Sequence, residues 1–128
     1  MSAADLRTPL KRARGLGSAK DGTHDFIVER LSALALVPLT LWMIYLALAL
    51  VHADYAQARA IVQQPLAAIG LIAFVVAAFW HGMLGMQVVI EDYVRPRWVE
   101  LVALLGVRAF CAIGAIACVL AVVRIALG

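Results

Sequence analysis

Residues 31–51 read LSALALVPLTLWMIYLALALV, a stretch without one charged side chain. As a helix those residues rise about 31 Å, the thickness of a bilayer's hydrocarbon core. The pattern recurs twice. No charge occurs in residues 60–90, and Arg108 is the only one in residues 101–123. These runs take up most of a chain of 128 residues that is 65% apolar and 15% charged, with mean hydropathy +0.95. Soluble domains are about 45–50% apolar, and one this small leaves too much surface wet to hide three such runs. The reading is an all-α integral membrane protein with three transmembrane helices.

Working outward, the spans are expected at about 31–51, 65–91 and 101–125. Residues 1–29 then form an N-terminal segment and 30–128 the three-helix membrane part. The second run is longer than one crossing needs. Gln63, Gln64 and Pro65 mark its start, with proline in the first helical turn, and Pro96 ends it, because the residue before a proline is pushed out of helical geometry. Lysine and arginine collect on the cytoplasmic side of short loops. Arg7, Lys11, Arg12, Arg14, Lys20 and Arg30 precede the first span, and Arg95 and Arg97 lie between the second and third. Only Arg59 and Arg124 fall on the other side. The N-terminus and the 91–100 turn are therefore expected in the cytoplasm, and the C-terminus in the periplasm.

The net charge of +3 does not indicate nucleic acid, since the cations flank apolar runs and face membrane lipid instead. A secretory signal needs an apolar stretch close behind its basic residues. Here the first apolar run starts only at Leu31, so the chain reads as mature and bacterial, in the inner membrane. Cys111 and Cys118 lie seven residues apart in one run, about 10 Å of helical rise, too far for a disulfide. Gly106, Gly114, Cys118 and Ala121 are small residues that permit close helix approach.

His81 is the most informative position. It stands ten residues before the charged end of its run, about 15 Å deep by helical rise, where an ionisable group is costly and usually functional. A neutral imidazole is a standard axial ligand of haem iron. Gly82 and Gly85 beside it would admit a flat macrocycle, Gly85 on nearly the same face. The same spacing also fits a histidine hydrogen-bonded to a neighbouring helix. Met83 and Met86 are too close along the helix to reach the opposite face of a ring held by His81. If the helix continues, Asp92 falls about 20° off the His81 face and about 16 Å further on. Tyr93 beside it offers a phenolic donor. That pair suits a pocket binding a carbonyl, and equally an interfacial tyrosine next to a helix-flanking acid. Arg30 opens the first span at the same level as that pair. It either pairs with an anionic group such as a haem propionate or anchors the span. Trp42, Trp80 and Trp98 read as interface or packing residues, and Arg108 has no account beyond snorkelling.

Two motifs and the three-span plan together resemble a known family. The motifs are GLGSAKDGTHDFIVER at 15–30, leading straight into a span, and WHGMLGMQVVIEDYVRP at 80–96. The chain resembles the D-type hydrophobic membrane-anchor subunits of succinate dehydrogenase (succinate:ubiquinone oxidoreductase, respiratory complex II) over residues 15–128. The resemblance implies that His81 is an axial ligand of haem b, with the sixth ligand supplied by a companion C-type anchor subunit. It implies that Tyr93 hydrogen-bonds a ubiquinone carbonyl, with Asp92 its acidic neighbour. It sets Arg30 near the haem propionates and matches His24 to a histidine of the N-terminal segment. An iron–sulfur subunit and a flavoprotein subunit would dock on the cytoplasmic side. This chain lacks the cysteine sets that clusters require, so it would contribute no complete active site to the oxidoreductase. Two rival functions are a three-helix transport component using His81 and Asp92 as a proton path without haem, and a structural assembly factor with His81 as a packing residue.

Overall fold

Every regular element among the described residues is helical, as the spacing of charges requires. The protein is represented by a computed structural model that describes Leu10 and residues 20–128. The basic residues Arg7, Lys11, Arg12 and Arg14 and the first five residues of the 15–30 motif lie outside the described residues. Among the described residues 20–128 four helices follow one another: α1 (Lys20–Val51), α2 (Tyr55–Gln63), α3 (Pro65–Tyr93) and α4 (Arg97–Leu127). Three apolar spans long enough to cross a membrane run, among the described residues, over Thr23–Val51, Pro65–Tyr93 and Arg97–Leu127. Each is about 44–46 Å long, against about 30 Å of hydrocarbon, so their ends reach past the apolar layer. α1 begins at Lys20, ahead of the apolar run, because nothing in residues 23–30 breaks a helix.

The ends of the helices follow local chemistry. Pro65 occupies the first position of α3, after an extended Gln64. α3 closes at Val94, and Pro96, extended, caps α4. The short α2 is an addition to the three spans. Asp54 caps it in a reciprocal box: the Gln57 N–H donates to Asp54 Oδ1 at 2.8 Å, and the Asp54 N–H donates to Gln57 Oε1 at 3.1 Å. The uncharged run of residues 60–90 is thus shared between the end of α2 and α3.

α3 is the central helix. It packs most extensively on α4 and less so on α1, while α1 and α4 make no contact of comparable extent. Two glycines set these approaches. A Cβ at Gly70 of α3 would lie 2.6 Å from Trp42 Cη2 of α1, and one at Gly114 of α4 would lie 2.7 Å from Phe79 Cε1 of α3. Gly106 faces open space. Among the described residues only Leu46, Ala67, Ala68 and Ile90 form a buried apolar core, and no residue in the most apolar stretch of α4 is buried. In water such a chain would not hold together. In a bilayer, each helix satisfies its own backbone and apolar flanks meet lipid or further helices without penalty.

Candidate functional site

α3 carries His81 to the seam with α1, where the ring is half-buried. Its Nδ1 lies 3.0 Å from Ser32 Oγ of α1, and the Ser32 hydroxyl donates to the Glu29 carbonyl at 2.8 Å. Both functions that the spacing allowed are therefore compatible: His81 does hydrogen-bond a neighbouring helix, but through one nitrogen. Nε2 takes no hydrogen bond from any described residue. Beside the imidazole, Ala33, Leu36, Val37, Thr40 and Leu41 line an open, largely apolar groove of about 370 Å³. A Cβ at Gly85, one turn further along α3, would meet nothing within 4 Å.

The Ser32–His81 contact fixes the register of α1 against α3. Arg30 lies two residues from Ser32, about 3 Å of rise, whereas Tyr93 lies twelve residues from His81, about 18 Å. The sequence expectation that Arg30 shares the level of Tyr93 is corrected: Arg30 stands near His81. The reason is that α1 continues helically well before its apolar run, so the first cation of that run is no longer at the helix end. The Arg30 guanidinium carbon sits 5.1 Å from the Phe26 ring centroid, a cation–π contact. α3 persists through Asp92 and Tyr93, so the expected alignment of Asp92 with the His81 face stands on a continuous helix. Both residues are exposed, Tyr93 at 81%. His24 is exposed on α1, toward the same end. Between the two levels, Asp25, Glu29 and Glu91 contribute carboxylates to a cleft of about 240 Å³ with Gln87.

Two polar links were not read from the sequence. One is Ser32, an uncharged residue at the edge of the first apolar run. The other accounts for Arg108. Its Nη2 donates to Gln87 Oε1 across the α3/α4 seam at 3.3 Å, and Gln87 Nε2 donates to Glu91 Oε1 at 2.9 Å. The four-residue spacing of Gln87 and Glu91 was a usable signal, since side chains so placed meet on a helix surface. Met86 and Gly82 line a separate apolar groove of about 440 Å³ toward α4, with Phe110 and Cys111, on a different face from His81. Cys111 and Cys118 are free thiols.

The donor set narrows what the site can hold. Among the described residues no three His, Cys, Asp or Glu side chains gather as a metal site. A haem brings four equatorial nitrogens of its own and asks this chain for one axial imidazole. His81 with an unengaged Nε2, an apolar groove and an open Gly85 face fit that demand. Any second ligand to a haem held there would have to come from outside the described residues.

The fold and site define an integral membrane chain with three spans and a single imidazole within the central one. Residues 4–122 match the family described as Succinate dehydrogenase/Fumarate reductase transmembrane subunit. The chain is 34% identical over 118 residues to a protein of Rickettsia bellii (strain RML369-C), across 92% of this chain and 94% of that one. It is 30% identical over 118 residues to one of Rickettsia conorii (strain ATCC VR-613 / Malish 7), across 91% and 94%. It is also 38% identical over 87 residues to one of Paracoccus denitrificans, across 67% of each. All three relatives are named succinate dehydrogenase hydrophobic membrane anchor subunit. No solved structure gives a significant match. The chain belongs to the succinate dehydrogenase/fumarate reductase transmembrane subunit family.

Proposed function

We propose that this chain is the hydrophobic anchor subunit of a bacterial succinate:ubiquinone oxidoreductase of the inner membrane. It works with a C-type anchor, an iron–sulfur subunit and a flavoprotein subunit. The N-terminus and the 91–100 turn face the cytoplasm, in keeping with the distribution of Lys and Arg, and the C-terminus faces the periplasm. The anchor role is supported by family membership and by three spans that leave almost all their apolar surface for lipid and partners. His81 Nε2 would hold the iron of a haem b shared with the C-type anchor, and Arg30, near the level of His81, would pair with a propionate. The observation that carries this reading is the imidazole held through Nδ1, with Nε2 unengaged beside an apolar groove. Haem b, when bound, supplies a one-electron redox centre.

The chain's own residues do the rest. Tyr93, exposed at the end of α3, donates its phenolic hydrogen to a ubiquinone carbonyl. As negative charge develops on that oxygen during reduction, a preorganised donor stabilises it more than it stabilises the neutral ground state. Asp92, its neighbour, completes the polar edge of the pocket, and His24 lies toward the same end. The remaining pocket walls belong to partner subunits.

The test is a dithionite-reduced minus oxidised spectrum of the purified complex, wild type beside His81→Ala. The expected result is a b-type signal that His81→Ala abolishes or shifts. An intact wild-type complex without haem, or an unchanged signal in His81→Ala, overturns the ligand assignment.

A further inference from the structure

We infer that Ser32 is a positioning residue for His81: its hydroxyl oxygen accepts the Nδ1 proton and so fixes both the ring orientation and the tautomer that presents Nε2 as a ligand. The inference rests on the haem reading above and extends it to a residue outside the iron's own ligands. A serine hydroxyl has one hydrogen and two acceptor lone pairs. Ser32 Oγ makes two contacts, 2.8 Å to the Glu29 carbonyl oxygen and 3.0 Å to His81 Nδ1. A carbonyl oxygen can only accept, so both contacts are hydrogen bonds at once only when the single hydroxyl proton lies toward Glu29. Toward His81 the oxygen offers lone pairs alone, and the 3.0 Å contact is bonding only if Nδ1 carries the hydrogen. A neutral imidazole with its proton on Nδ1 has its free lone pair on Nε2, the atom left without a partner among the described residues.

Two consequences follow. The first is geometric: Ser32 is on α1 and His81 on α3, so the ring plane is tied to the α1/α3 seam and cannot swing freely into its groove. The second is electronic. Histidines that bind metals generally donate their other ring N–H to an acceptor, which raises ligand basicity. A more basic axial imidazole favours ferric over ferrous iron and lowers the haem potential. Glu29 enters only through its backbone carbonyl, which draws the hydroxyl proton away and leaves the oxygen a pure acceptor toward the ring.

The experiment is a redox titration of the haem in the whole membrane complex, with the electron paramagnetic resonance spectrum of the ferric form, for wild type, Ser32→Ala and Ser32→Thr. Removal of a partner of this kind typically changes metal affinity by 10- to 100-fold. At the lower end, a tenfold loss of the ferric preference raises the midpoint by about 59 mV for one electron. Ser32→Ala is expected to show that upward shift with altered ferric g-values, and Ser32→Thr, which keeps a hydroxyl, to return both toward wild type. If Ser32→Ala assembles poorly, Ser32→Cys, with a weakly accepting sulfur of similar size, carries the same comparison. A fully haem-loaded Ser32→Ala or Ser32→Cys complex with unchanged potential and g-values overturns the inference and leaves the His81 assignment standing. A wild-type complex without haem overturns both, and the wild-type spectrum alone distinguishes that outcome.

Discussion

The two seams of the central helix differ in kind. Toward α4, α3 packs over a long contact with Phe79 seated on Gly114, and the groove there is lined by apolar residues and two sulfurs. Toward α1 the contact is less extensive and is polar over its N-terminal part: Ser32 against His81, then Asp25, Glu29 and Glu91 toward the Tyr93 end. Only beyond His81 does α1 pack in the manner of the other seam, with Trp42 on Gly70. One helix thus presents a mainly apolar packing surface on one side and, on the other, the polar surface that holds the candidate site. In a bilayer apolar surface drives no helix association, so both seams combine close small-residue packing with polar contacts, the α4 seam leaning on the first and the α1 seam on the second.

The largest expected effect that separates chemistry from scaffold is at Tyr93. Its side chain is exposed and touches neither seam, so Tyr93→Phe should leave assembly, thermal stability and haem content unchanged. Losing one preorganised donor to developing negative charge costs on the order of 10²-fold in turnover. Succinate-to-ubiquinone activity should fall by about that factor, while succinate oxidation measured with a soluble dye stays at the wild-type rate. Equal loss of both activities would assign Tyr93 to assembly and remove the difference between the two sides of α3.

At the α4 seam the reverse is expected. Gly114→Leu forces Phe79 off its seat, and overpacking of a tight contact costs about 1–3 kcal/mol. Thermal unfolding of the detergent-solubilised complex should move down accordingly, with the per-complex rate and haem spectrum of the surviving fraction unaltered. Gly106→Leu is the control, since that position faces open space. A stable Gly114→Leu complex would mean that partner subunits, and not this seam, hold α4 in place.

The spans were legible because burying or stranding charge in hydrocarbon is so unfavourable that its absence over twenty residues has one explanation. His81 was legible for the same reason, as the exception within a run. Ser32 was not, because a serine inside an apolar helix satisfies itself on the carbonyl one turn back and so leaves no mark of being needed elsewhere. Only the packing of α1 on α3 shows that its oxygen has a second use. Gly70 was silent because its tightness is set by Trp42 on another helix. α2 was hidden by composition: its last residues are as apolar as the span that follows, although Asp54 and Gln57 at capping-box spacing marked where it starts. Arg30 was set at the wrong level because the end of apolarity was equated with the end of helix.

The smallest expected effect falls on Gln87, the residue that joins the two seams. It lines the acidic cleft toward α1 and accepts from Arg108 across the α4 seam while donating to Glu91. Interhelical hydrogen bonds within membranes average about 0.6 kcal/mol, so Gln87→Leu should lower stability by roughly that amount and leave the haem potential where it is. The informative comparison is with the double variant Gln87→Leu/Arg108→Leu. Removing one partner leaves the other polar group stranded, whereas replacing both with apolar groups can be nearly neutral. If Arg108 is held chiefly by Gln87, the double variant should be at least as stable as the single one. If Arg108 instead reaches the interface by its own length, Gln87→Leu alone should be silent, and the α4 seam would rest on the Phe79–Gly114 contact without polar support.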